Sequence, residues 1–154
     1  MLQAVTSTRW RNTRRPRFRL TSEVDGKVTL TRPEVTDQIA VFQWAARMEG
    51  RWPALALLHH SPNGGKRDAR EAAKLKRMGV KPGVPDLMLP VAREGYIGLA
   101  IEMKVWPKQP TDLQAAWLRE LQREGWRCRV CYSATAAIDI LQAYVSAEPT
   151  RIAA

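Results

Sequence analysis

Ile97-Gly98-Leu99-Ala100-Ile101-Glu102-Met103-Lys104-Val105 is the stretch from which the fold is read. Its odd positions are all large and apolar, while its even positions are Gly, Ala, Glu and Lys. Side chains alternate across a strand, so this pattern predicts a strand from Tyr96 to Val105 with one face on a core. Glu102 and Lys104 emerge side by side on the other face, which Gly98 and Ala100 keep shallow.

The segment before it, Pro85 to Val91, alternates in the same way, with Leu87, Leu89 and Val91 on one face and Asp86 on the other. A turn over 92–96 makes the two segments a hairpin, in which Val91 opposes Ile97 and Asp86 opposes Glu102. The β-carbons of the two acids are then ~5 Å apart. Two carboxylates so close on a buried sheet repel each other unless a cation lies between them. All-oxygen donors suit Mg²⁺ or Mn²⁺ and not zinc. Lys104 stands ~7 Å further along the same face, within reach of a water or a scissile phosphate. The plainer reading is a salt bridge between Glu102 and Lys104 beside a carboxylate at a strand edge.

Around the hairpin, Thr31, Pro33 and the spacing of Val35, Ile39, Phe42 and Ala46 predict a helix ended by Gly50. Ala54 to His59 reads as a short buried strand, and Ser61-Pro62-Asn63-Gly64-Gly65 as a loop. Lys66 to Met78 is a short basic helix capped by Gly79. Leu113, Ala116, Trp117 and Leu121 predict a helix from Asp112 to Glu124, followed by a strand over 126–132. Ser133 caps a last helix through Ile138, Leu141 and Val145.

The chain has 154 residues and a net charge of +10, which suits one domain facing a polyanion. Six arginines between Arg9 and Arg19 make residues 1–30 a basic arm, either a phosphate contact or a solvated tail. No apolar run approaches the ~20 residues of a membrane span, and no secretory signal is visible, so a cytoplasmic protein with no membrane partner is expected. Cys128 and Cys131 form a Cys-x-x-Cys on a strand, where an offset of three puts the thiols on opposite faces. Buried thiols, and neither a redox pair nor a zinc site, follow.

Val84-Pro85-Asp86 followed after fifteen residues by Glu102-Met103-Lys104 resembles the PD-(D/E)xK nuclease signature. Several further segments resemble its virus-type replication-repair branch, VRR-NUC. These are Pro33-Glu34 with Gln38, His60 to Arg67, Gly83 to Asp86, and Gln114 with Trp117, Leu118, Leu121 and Gly125. The resemblance implies a restriction-endonuclease-like α/β fold, a central mixed sheet flanked by helices, over a nuclease domain at 31–147 with a tail at 148–154. It also implies DNA cleavage with Mg²⁺ or Mn²⁺. Asp86, Glu102, the backbone carbonyl of Met103 and Glu34 would hold the ion, Lys104 would orient the attacking water, and Gln114 would face the site. His60, Asn63, Lys66, Arg67, Arg70 and Gln38 are the DNA-contact candidates. Bland alternatives stand beside these roles: Thr31 to Glu34 also fits a capping box, Gln114 an exposed helix position, and Asn63-Gly64 an ordinary turn.

Stand-alone nucleases of this branch resemble Holliday-junction resolvases, so the leading expectation is a homodimer cutting branched DNA. A flap or duplex nuclease that needs a partner, and a DNA-binding module without catalysis, are the other readings.

Overall fold

The structure is a computed structural model that describes residues 33–61 and 69–150. The arginine-rich arm, Asn63, Lys66, Arg67 and residues 151–154 lie outside the described residues.

Four strands form one mixed sheet in the order β1 (His59–His60), β2 (Leu87–Leu89), β3 (Gly98–Met103) and β4 (Trp126–Cys131). The first three pair antiparallel, and β3 and β4 run parallel, joined by a crossover through a helix. The helices are α1 (Pro33–Met48), α2 (Ala69–Arg77), α3 (Asp112–Arg123) and α4 (Ala134–Ser146).

The alternation of β3 is used on both sides. Leu99, Ile101 and Met103 pack with Leu87, Leu89, Val41 and Ala45 of α1, and Leu141 and Tyr144 of α4. Ala100 packs with Met88, Cys128, Val130 and Leu118 of α3. The result is the α/β sandwich expected, with α1 and α4 on one face and α3 on the other. The small even residues of β3 do more than leave a shallow surface. The indole of Trp126 lies across Gly98, where an added Cβ would come within 2.5 Å of the ring.

The hairpin register is the expected one: Leu87 faces Ile101, Met88 faces Ala100 and Leu89 faces Leu99, which brings Asp86 alongside Glu102. The turn differs. Glu94 and Gly95, with φ of 51° and 80°, form a two-residue turn closed by reciprocal bonds of 3.0 and 2.8 Å between Arg93 and Tyr96. One extra residue is absorbed over 90–92, where Val91 N–H bonds to Leu89 O at 2.9 Å, so Val91 does not come opposite Ile97. Pro90 cannot donate to a ladder, and β2 stops before it.

Three expectations are corrected. Residues Pro53–Leu57 form a 3-10 helix and not a strand, leaving only His59–His60 in the sheet. Pro53 presets a helical φ at the first turn, and the segment has no β-branched residue to favour extension. On α1, Val35, Ile39 and Ala46 are exposed, and the buried positions are Val41 and Ala45. The carboxyl of Asp37 accepts a hydrogen bond from Ala134 N–H at the start of α4, which fixes the helix with Asp37, Val41, Ala45 and Met48 inward. On α3, Leu113 is exposed and Leu118 takes the core position, so the inner stripe is Gln114, Leu118 and Leu121.

Helix α2 buries none of its residues. It ends in a left-handed Gly79, φ 90°, with Gly79 N–H on Lys76 O at 3.1 Å and Val80 N–H on Leu75 O at 3.0 Å. Among the described residues no helix is long and apolar enough to cross a membrane.

Candidate active site

Where β3 leaves the sheet, backbone pairing continues one step, with Lys104 N–H on Cys131 O at 2.8 Å. This holds Glu102 and Lys104 on the face covered by α3, as period two demands. Glu102 is fully buried and Lys104 is 9% exposed. The Lys104 ammonium donates to Glu102 Oε1, and also to the carbonyl of Met103 at 3.1 Å.

Asp86 precedes β2 by one residue, and its Oδ2 accepts from Met103 N–H at 2.9 Å. That bond continues the sheet with a side chain where strand pairing has ended, and it holds the Asp86 carboxylate against the end of β3. His60, in the neighbouring strand, donates from Nδ1 to the Asp86 carbonyl at 2.8 Å, since a carbonyl can only accept. His60, a candidate DNA contact, also braces the backbone of Asp86.

The third element is α3. Thr111 and Gln114 form a reciprocal capping box, with Thr111 N–H on Gln114 Oε1 at 2.9 Å and Gln114 N–H on the Thr111 hydroxyl at 3.4 Å. The amide nitrogen of the same Gln114 donates to Glu102 Oε1 at 2.5 Å. One side chain therefore starts the helix and ties it to the buried acid. The approach to Asp86 is fixed against α3 as well, by Trp117 Nε1 on Pro82 O at 3.0 Å.

Electrostatics set this site apart from an ordinary salt bridge. Burial, reinforced by the negative charge of Asp86 and opposed by Lys104, pushes the Glu102 carboxyl up from 4.5 to about 7. Glu102 Oε1 takes both donors, and Oε2 is buried and receives none, its neighbour being the Asp86 carboxyl. A buried carboxylate oxygen without a donor is costly. A hard divalent cation fits the donors present: two carboxylates and a carbonyl, with water and phosphate oxygens to complete the shell. The Lys104 ammonium already contacts two of those donors, Glu102 and the Met103 carbonyl. Among the described residues no group of three or more His, Cys, Asp and Glu side chains converges, so the protein donors there are few.

The other expected positions are distributed as follows. Glu34 falls in the first turn of α1, and its side chain lies outside the described residues. That turn is at the site end of the sheet, because Asp37 bonds Ala134, three residues after the end of β4. Gln38 is half-buried on the same helix, and Arg70 is exposed on α2. The two cysteines are buried in different layers, Cys128 under α3 and Cys131 under α1 and α4. Sequence reasoning passed over Trp106, two residues beyond Lys104 and 39% exposed. An aromatic residue so close to a charged pair was the available signal.

The sequence profile of the VRR-NUC domain matches residues 41–135. A solved structure described as a VRR_NUC domain protein superposes with a TM-score of 0.65 at 34% identity, covering 76% of this chain and 91% of the other. No curated protein gives a match. The matched span includes the positions of Asp86, Glu102, Lys104 and Gln114, and the chain belongs to the VRR-NUC family of nuclease domains.

Proposed function

We propose that this chain is a structure-selective DNA endonuclease that hydrolyses phosphodiester bonds with Mg²⁺ or Mn²⁺, acting on branched DNA as a homodimer. The observation that carries the reading is the buried pair of carboxyls, Glu102 with an Oε2 that receives no donor beside Asp86, and Lys104 on the other oxygen.

Asp86, Glu102 and the Met103 carbonyl would hold the ion, with Glu34 as a further donor. When bound, such an ion supplies a Lewis acid for the phosphate and a water of lowered pKa. Gln114 fixes the rotamer of Glu102, and His60 fixes the backbone of Asp86. Lys104 holds positive charge over the acids and, once displaced from Glu102, is placed to orient the attacking water. The burial of this end of β3 excludes bulk solvent.

On DNA, Arg70, Lys74 and Arg77 recur at one-turn spacing along the exposed α2, a row of cations for a phosphate backbone. His60, Gln38 and the segment with Asn63, Lys66 and Arg67 are proposed contacts as well. A second copy is favoured by the apolar strip of Val35 and Ile39 on α1, 51% and 53% exposed. Two-fold symmetry would then match a four-way junction.

The test is a titration of Mg²⁺ and Mn²⁺ against junction, flap, single-stranded and linear DNA, with Asp86→Ala and Lys104→Ala in parallel. Metal-dependent cutting that both variants abolish, and that favours the junction, supports the proposal. Equal cutting of linear duplex and junction, or a monomer by light scattering, would overturn the junction part. No cutting by the unaltered chain, with DNA binding retained in both variants, would overturn catalysis.

A further inference from the structure

Trp106 stands where the nuclease reading has no use for it. Glu102 faces Val130 in the parallel ladder, and Lys104 N–H bonds to Cys131 O, so Tyr132 lies beside Lys104 at the end of β4. Tyr132 belongs to the layer under α3, the same face as the two acids. The indole of Trp106 packs on the Tyr132 ring, with centroids 5.7 Å apart and planes at 73°. A chain of direct neighbours therefore runs from Lys104 to Tyr132 to Trp106.

The packing is partial. An indole serving only the core would be covered as Tyr132 is, at 8% exposure, whereas Trp106 stays 39% exposed. In an edge-to-face pair each ring meets the other through one edge or one face, so at least one face of Trp106 is free of Tyr132. The ring is also held in place. The Tyr132 hydroxyl donates to Gln109 Oε1 at 3.0 Å, and Lys108 N–H on Val105 O at 2.8 Å closes the turn that carries Trp106. An aromatic face fixed in advance loses little side-chain freedom on binding.

Lys108 is exposed in the same turn, so a partly exposed indole and a cation occur within three residues. That pairing suits single-stranded nucleic acid, where bases stack on aromatic rings and cations follow the phosphates. In a paired duplex the base faces are already stacked on their neighbours and unavailable.

We propose that Trp106 is the stacking platform for an unpaired nucleobase of the substrate next to the cleavage site, and thereby a determinant of selectivity for DNA that exposes an unpaired base at a branch over fully paired DNA. The inference rests on the nuclease reading for the identity of the ligand. It adds a recognition element to the acids and the lysine, one that acts on a branch carrying an unpaired base.

The experiment uses the full chain in EDTA, so that no strand is cut, with two DNAs of equal length. One is a continuous duplex, and the other carries a single unpaired 2-aminopurine at a strand branch. The expected result is quenching of 2-aminopurine by the unaltered chain and by Trp106→Phe, and none by Trp106→Leu. The leucine variant should lose branched-DNA affinity by about fivefold to a hundredfold relative to duplex. Equal losses on both DNAs, or quenching that persists in Trp106→Leu, would overturn the platform. Mg²⁺ is then added to the same samples: cutting without quenching removes the platform alone, whereas quenching without cutting removes catalysis and leaves the platform standing.

Discussion

Lys104 and Glu102 leave the same face of β3 two residues apart and meet, the ammonium donating to a carboxylate that is fully buried. The pair is half of a larger arrangement, because the second oxygen of Glu102 receives no donor and lies by the Asp86 carboxyl, which adds negative charge. Replacing the lysine should therefore affect folding and chemistry in different ways. Lys104→Met removes the cation that opposes the burial cost of Glu102. The metal-free protein should lose ~3 kcal/mol of stability at pH 8 by denaturant titration, as when one member of a buried ion pair is removed. At pH 5 the loss should shrink, because Glu102 then takes a proton. Cleavage should fall by about a hundredfold or more, the usual loss when one stabilising donor is removed from an active site. A loss of stability that is the same at both pH values would show that Lys104 does not compensate Glu102.

Glu102 itself makes the metal-free fold less stable as pH rises. Its carboxyl titrates near 7 in the fold against 4.5 otherwise, so between those values the folded state holds more protons than the unfolded one. Stability from this group is present below 4.5 and is lost as pH rises through 7. The loss amounts to at most ~3 kcal/mol. Glu102→Gln should flatten that part of the curve and be more stable than the unaltered chain at pH 8. Stabilisation by Mg²⁺ should grow over the same window, because the ion needs the ionised acid. Parallel curves for the two proteins would sink this account.

The acid pair and its lysine were legible in the sequence because they rest on local rules. Period two assigns faces, and the hairpin register follows from the pattern of Leu87, Leu89, Leu99 and Ile101. Gln114 was legible only by resemblance, and the physical reason for its position is the stripe Gln114, Leu118, Leu121. What stayed hidden depends on distant contacts. No local pattern says that Asp37 will meet Ala134 and turn Val35 and Ile39 outward. Nor does the apolar run at 54–58 reveal that Pro53 starts a 3-10 turn with Leu57 facing out.

Gln114 serves two elements, and the two can be separated. Thr111→Ala removes the hydroxyl half of the capping box and should cost ~1 kcal/mol, with cleavage retained. Gln114→Ala removes a cap and the hold on Glu102 together. Its stability cost should be similar, with cleavage about tenfold lower because the acid loses a fixed rotamer. If cleavage tracks stability in both variants, Gln114 is only a cap.

The Cys-x-x-Cys should be chemically silent. Burial pushes both thiols up to about 12, and the two side chains lie in layers on opposite sides of the sheet. At pH 8 a thiol reagent should label neither cysteine in the folded protein and both in guanidinium chloride, since only a thiolate reacts. Rapid labelling of the native protein, or a mass showing an internal disulfide, would contradict these positions.

Gly83 holds the approach to Asp86 against the start of α3, and a methyl group there has nowhere to go. Its φ is 84°, and an added Cβ would lie 2.9 Å from both the carbonyl carbon and the Cβ of Leu113. Since the obstacle is helix backbone, no rotamer change relieves it. Gly83→Ala should therefore cost ~1 kcal/mol for the left-handed backbone and ~1–3 kcal/mol more for the forced contact. Gly79 separates the two costs: its φ is 90°, but nothing lies within 4 Å of an added Cβ, so Gly79→Ala should show the backbone cost alone. The variants should also differ in activity. Moving residue 83 away from Leu113 shifts Asp86, three residues on, relative to Glu102 and Gln114, so cleavage should fall further than stability in Gly83→Ala and stay near normal in Gly79→Ala. Denaturation midpoints and single-turnover rates measured side by side decide it, and equal midpoints for the two variants would show that α3 yields at this contact.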